Sequence, residues 1–146
     1  MTSPATVYVL NGPNLNLLGR REPEVYGSET LEEIAERLAR RAKSLELELE
    51  IRQSNHEGHL IDWLHEANDE GAKAVILNAG GFSHGSVALH DAVKAIAPPV
   101  IEVHLSNLAA REPFRARSLV ASAAAGSIAG LGALGYELAL DAAARL

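Results

Sequence analysis

Apolar residues recur along this chain with two periods, and the switching between them lays out a series of elements. Val7-Tyr8-Val9-Leu10 is an unbroken apolar run, the pattern of a strand buried on both faces. Leu31, Ile34, Ala35, Leu38, Ala42 and Leu45 repeat at helical spacing, with Glu and Arg between them. Thr30 followed by Glu33 is a capping-box signature for the start of that helix. From Leu45 to Arg52 the chain reads L-E-L-E-L-E-I-R, a strict alternation that predicts a strand covered on one face, suited to a sheet edge. A second helix is predicted over Leu60 to Glu70, stopping at Gly71. A central strand follows over Ala74 to Leu77, then a helix over Ser86 to Ala97 ended by Pro98-Pro99. Val100 to Leu105 is a fourth strand, Ser127 to Leu131 a weaker fifth, and Leu134 to Leu146 a final helix. The Ala-rich stretch Ala121 to Ala125 reads as a loose connection.

Strands alternating with helices call for a parallel sheet with helices on both faces. Right-handed crossovers, with the edge strand second in sequence, predict a flavodoxin-like α/β three-layer sandwich whose five strands run in order 2-1-3-4-5. No linker, repeat or low-complexity segment interrupts the chain, so residues 1–146 are read as one domain. In such sheets ligands bind beyond the carboxyl ends of the strands, where the strand order reverses. Three polar clusters fall there: Asn11 to Tyr26, Asn78 to His84, and His104 to Arg115.

Composition narrows the function. Of 146 residues, 47% are hydrophobic and 22% charged, an ordinary globular balance. No apolar run reaches the length of a membrane span and no leader pattern is present, so a soluble, cytoplasmic protein is expected. The absence of cysteine excludes disulfides, thiol nucleophiles and cysteine-ligated metals. A formal net charge of −6 disfavours nucleic acid, which needs a basic face. It leaves room for a small anionic substrate, since local arginines set the potential of a cleft.

The stretch Asn11 to Gly27, NGPNLNLLGRREPEVYG, is too long for a plain strand-to-helix connection and too rich in Leu, Val and Tyr for disorder. It is read as an active-site loop. Asn14 after the rigid Gly12-Pro13 turn is either an oxyanion donor or a structural turn. Tyr26 is either a packing aromatic or a base. Phenols ionise near pH 10, so a tyrosinate base at neutral pH needs cations close by, and Arg20 and Arg21 lie in the same loop. Glu102 and His104, two apart on a strand, project from one face. The pair is either a buried ion pair or a histidine oriented and made basic for proton transfer. Asn78, Gly80 and Gly81 end the third strand, and backbone amides there, with His84 and Ser86, are placed to bind a carboxylate or hydroxyl. Asp91 lies opposite Leu89, Val93 and Ile96 on its helix and by itself reads as a solvated carboxylate. His56 and His59 lack a completing carboxylate set, so no metal is expected. The glycines do not form a dinucleotide fingerprint. A flavin- or phosphate-binding module of the same fold is an alternative. So is a phosphorylatable receiver, although the aspartate it needs at the end of strand three is Asn78 here.

N-G-P-N-L-N-L-L-G-R-R-E-P-x-x-Y-G resembles the opening signature of the type II 3-dehydroquinate dehydratases. The resemblance continues through Ile76 to Gly81, Ser83-His84, Ser86 to Ala88, Ile101 to Asn107 and Arg111 to Arg115, nearly the whole chain in register. Gly85, Phe82 and Ala116 to Leu119 depart from the usual pattern. The resemblance implies reversible anti dehydration of 3-dehydroquinate to 3-dehydroshikimate through an enolate, with no cofactor and no metal. It makes Tyr26 the base, His104 the acid and Arg21 the stabilising cation, assisted by Asn14 and Glu102. Asn78, Gly80, His84, Leu105, Ser106 and Arg115 would bind the substrate, and Asp91 would reach a site across a subunit boundary. A homo-oligomer, a dodecamer of four trimers, is implied as well.

Overall fold

The computed structural model describes residues 3–146. Its five parallel strands are β1 (Ala5–Asn11), β2 (Leu47–Gln53), β3 (Ala74–Asn78), β4 (Val100–His104) and β5 (Gly126–Ala129), ordered β2-β1-β3-β4-β5. The order is the one expected from the periodicity. The helices are a single turn α1 (Pro23–Tyr26), then α2 (Leu31–Ser44), α3 (Glu57–Asp69), α4 (Val87–Ala95) and α5 (Leu134–Ala144).

The unbroken apolar runs explain the layering. A strand sends alternate side chains to opposite faces. Val7, Val9, Ala74, Ile76, Ile101 and Val103 pack on Ile34 and Leu38 of α2 and on Tyr136 and Leu140 of α5. Tyr8, Leu10, Val75, Leu77 and Val100 face the other way, onto Leu60 and Leu64 of α3 and Leu89 and Val93 of α4. On β2 the exposed Glu48 and Glu50 alternate with half-buried Leu47, Leu49 and Ile51, as a one-faced edge strand requires.

Several boundaries differ from the expected ones for identifiable reasons. α2 runs to Ser44, and Glu46 takes the left-handed turn at φ 58°, so β2 begins at Leu47. α3 starts three residues early, because the carbonyl of the extended His56 already accepts from the N–H groups of His59 and Leu60. α4 stops at Ala95, and β5 ends at Ala129 before the positive-φ Gly130 and Gly132. Thr30 caps α2, accepting from the Glu33 N–H at 3.2 Å, while the Glu33 carboxylate takes the threonine hydroxyl at 3.1 Å. The Ala121 to Ala125 connection is not loose. The preceding Leu119 N–H bonds the Ser83 carbonyl at 2.7 Å, Val120 is fully buried, and Ala125 N–H reaches Val100.

The carboxyl ends of β1 and β3 are clamped together. Gly12 N–H donates to the Asn78 carbonyl at 2.8 Å, and a Cβ on Gly12 would stand 2.5 Å from the Ala79 carbonyl oxygen. Only glycine allows that approach. Gly80 is left-handed at φ 57°, and a Cβ there would stand 3.3 Å from Pro13. That backbone conformation therefore favours glycine apart from any demand of a ligand.

Candidate active site

One cleft opens over the carboxyl ends of β1, β3 and β4, and the three polar clusters line it. Asn14, Arg21 and Tyr26 come from the first loop, and Asn78, Gly80, Gly81 and His84 from the second. His104, Leu105, Ser106, Arg111 and Arg115 come from the third. Asp91, Ser86 and Arg20 are not part of it. Asp91 is 70% exposed on α4 beside His90, and Ser86 caps α4 and donates to Glu57. Glu102 lies behind the cleft wall rather than on it.

The first loop is not irregular throughout. Leu15–Leu17 form a 3-10 turn, and Leu15 and Leu18 are buried in the core, which anchors the loop at its base. Pro23 then starts α1, with Glu22 left-handed at φ 38°, and Gly27 ends it at φ 88°. Proline at the first helical position and glycine just past the last are the usual bounds of a helix. This single turn carries Tyr26 to the cleft.

Tyr26 sits between two cations. Arg21 Nη2 donates to its hydroxyl at 3.1 Å, with the guanidinium carbon 4.4 Å from the ring centroid. Arg111 lies 5.1 Å from the same centroid and donates to Ser106 Oγ at 3.3 Å. Guanidinium groups this close to an aromatic face are attracted by its quadrupole. The sequence reading passed over Arg111 as a site residue. Its place in the loop after β4 was the available signal, but its pairing with Tyr26 exists only in three dimensions.

Across the cleft, His104 Nε2 lies 3.1 Å from Glu102 Oε2, an ion-pair distance although the N–H is not aligned on the oxygen. Glu102 is 2% exposed. Burial pushes its carboxyl upward, but contact with His104 and the hydroxyls of Ser118 and Ser127 outweighs this and holds it below its ordinary value. Ser127 Oγ donates to Oε1 at 3.0 Å, and Ser118 donates to Oε2. A carboxylate receiving so many donors stays ionised and keeps the imidazole at hand. The His84 ring stacks on His104, with centroids 6.2 Å apart. His84 Nδ1 lies 2.9 Å from the Arg117 carbonyl. A carbonyl only accepts, so Nδ1 carries the proton and Nε2 is left for a ligand.

Asn14 is left-handed at φ 68°, fixed by its N–H donating to Asn55 Oδ1 at 3.0 Å. Arg115 is held by Glu112 at 2.8 Å with its guanidinium over Phe114. Asn78 is buried, donating to Tyr136 and accepting from Gly80 N–H. His56 precedes α3 and His59 lies in its first turn, and among the described residues no three His, Cys, Asp or Glu side chains gather to hold a metal.

The family model for dehydroquinase class II matches residues 5–144. The 3-dehydroquinate dehydratase of Chelativorans sp. (strain BNC1) is 61% identical, over 97% of this chain and 98% of that protein. The crystal structure of the type II dehydroquinase from Butyrivibrio crossotus superposes with a TM-score of 0.95 at 40% identity, covering 97% of this chain and 99% of that one. That from Propionibacterium acnes gives 0.94 at 44% identity, covering 100% and 99%.

Proposed function

The chain belongs to the class II dehydroquinase family, and from that premise we propose how its cleft dehydrates 3-dehydroquinate to 3-dehydroshikimate. Tyr26, as tyrosinate, takes a proton from the carbon beside the ketone. The electron pair passes to the ketone oxygen as an enolate, which Asn14 and neighbouring donors stabilise. The enolate re-forms the ketone and expels the hydroxyl, which takes a proton from His104 and leaves as water. Each turnover leaves Tyr26 protonated and His104 deprotonated, so a proton returns from one to the other through solvent before the next.

The observation that carries this reading is the pairing of Tyr26 with Arg21 and Arg111 on one wall and His104 with Glu102 on another. Two proton-transfer groups on separate loops suit an anti elimination. None of the lysines Lys43, Lys73 and Lys94 lines the cleft, so an imine route has no amine to use. Arg115, with its planar fork, suits the substrate carboxylate, and Asn78, His84, Leu105 and Ser106 suit its hydroxyls and ring.

Two further points belong to the same proposal. The enzyme assembles as a dodecamer of four trimers, in which Asp91 reaches a neighbouring subunit's cleft. It works in the cytoplasm, which the lack of cysteine suits; no helix among the described residues is long and apolar enough to cross a membrane.

The test follows the absorbance of the conjugated enone after dehydroquinate is added. Tyr26→Phe and His104→Ala should each lower turnover by at least about a hundredfold, the scale of general acid–base contributions. Near-normal turnover in either folded variant removes that residue from its role.

A further inference from the structure

Beneath the cleft floor a chain of buried polar side chains leads up to Asn78. Asn11 at the end of β1, Asn78 at the end of β3 and Tyr136 on α5 are all buried, with Asn11 and Tyr136 wholly so. Asn11 Nδ2 donates to the Arg52 carbonyl at 3.1 Å. Tyr136 hydroxyl donates to Asn11 Oδ1 at 2.6 Å. Asn78 Nδ2 donates to the tyrosine oxygen at 2.9 Å, and Asn78 Oδ1 accepts from Gly80 N–H at 3.2 Å.

The direction of every bond in this chain is forced from its ends. The Arg52 carbonyl can only accept, so Asn11 must turn its NH2 outward and its oxygen toward Tyr136. That oxygen can only accept, so the phenol must donate to it. The phenol oxygen is then left as an acceptor, and Asn78 must meet it with Nδ2. Gly80 N–H can only donate, which requires Asn78 Oδ1 on its side and gives the same orientation independently. A buried amide turned the other way would set two acceptors or two donors face to face, with no water to relieve them.

Asn78 has then used its oxygen and one amide hydrogen, and it lines the cleft. We propose that Tyr136, through Asn11, is a positioning residue that locks the Asn78 amide so that it offers the substrate a hydrogen-bond donor. This selects an oxygen acceptor, a hydroxyl or carbonyl of the ring, at that point of the cleft. The inference rests on the reading of Asn78 as a substrate-contacting residue.

A double-mutant cycle on kcat/KM tests it. Tyr136→Phe keeps the ring but removes one of the two contacts that orient the Asn78 amide, leaving Gly80 N–H alone to hold it. It should raise KM about tenfold and change kcat much less, as expected when a uniform binding contact is lost. Asn78→Ala should cost at least as much. In the Asn78→Ala background, Tyr136→Phe should then change KM by less than about twofold, since its route to the substrate is gone. An equal loss from Tyr136→Phe in both backgrounds, or no change in KM in the wild-type background, overturns the positioning role. Full activity in Asn78→Ala instead overturns the reading of Asn78 on which it stands. If Tyr136→Phe does not fold, Asn11→Ala carries the same cycle. It leaves the phenol in place but removes the acceptor that sets its direction. A rise in KM that vanishes in the Asn78→Ala background supports the lock, and a rise that persists there overturns it.

Discussion

At the scale of single residues, the buried charge behind the cleft is fixed by the donors around it. Glu102 shows this with a consequence for stability. Its folded value is depressed below the ordinary carboxylate value of 4.5, so its contribution is present at neutral pH. The contribution is lost as pH falls through the depressed value, because the unfolded chain then binds the proton more readily. Glu66 is likewise depressed, by its hydrogen bonds from Arg52 and Tyr8, and Glu102 is not among the groups that act on it. The stability difference between wild type and Glu102→Gln, from urea midpoints, should therefore shrink as pH drops below about 4.5. Parallel curves would mean that the carboxylate is not held in its charged form. At the alkaline end, burial and the Glu66 hydrogen bond push the Tyr8 phenol up to about 12. Its folded value is raised, so its contribution is complete below pH 10 and is lost as pH rises through 12.

At the scale of elements, the site depends on two loop ends pressed together at Gly12. Gly12→Ala should cost about 2–3 kcal/mol in chemical denaturation, because its Cβ would meet backbone atoms that cannot rotate away. Gly58→Ala on α3, with open space around it, should be neutral or stabilise by up to about 1 kcal/mol. Equal effects would mean that the clamp is not under steric constraint. The α1 segment makes a second prediction. Closure of residues 20 to 27 would exclude water and strengthen the pull of Arg21 on Tyr26. Trypsin should nick the free protein after Arg20 or Arg21, and a saturating substrate analogue bearing a carboxylate should suppress it. Equal digestion with and without ligand would mean that the segment is no lid. The strands and long helices were legible because two-faced burial and amphipathic packing leave clear periods in the sequence. α1 was hidden, since four residues are too few to show a period, although Pro23 and Gly27 mark its ends. Arg111, Ser118, Ser127 and Tyr136 were illegible as site residues for another reason. Each matters through a partner distant in sequence, and only the folded sheet brings them together.

At the scale of the whole molecule, the proposed assembly would cover part of α4. Val87 is 63% exposed and Asp91, one turn on, is 70% exposed. Sedimentation should show an assembly at assay concentrations. Asp91→Ala should lower kcat/KM roughly ten- to hundredfold, the scale of a hydrogen bond to a charged group. Mixing Asp91→Ala with Tyr26→Phe subunits and reassociating them should restore part of the activity, since some clefts would then draw both intact groups from different chains. A fully active monomer, or no restoration, would confine the site to one chain. The sheet order has a consequence for synthesis as well. β1 is made first, yet it lies between β2 and β3, so its two edges are covered at different times. Once β2 has left the ribosome and until residues 74–78 follow it, β1 can pair with β2 but presents its other edge bare. That strand, Ala5–Asn11, carries neither charge nor proline, the composition most prone to pair with a second chain. A nascent chain paused in this interval is the form most exposed to aggregation, and the arrival of Ala74–Asn78 ends that hazard for β1.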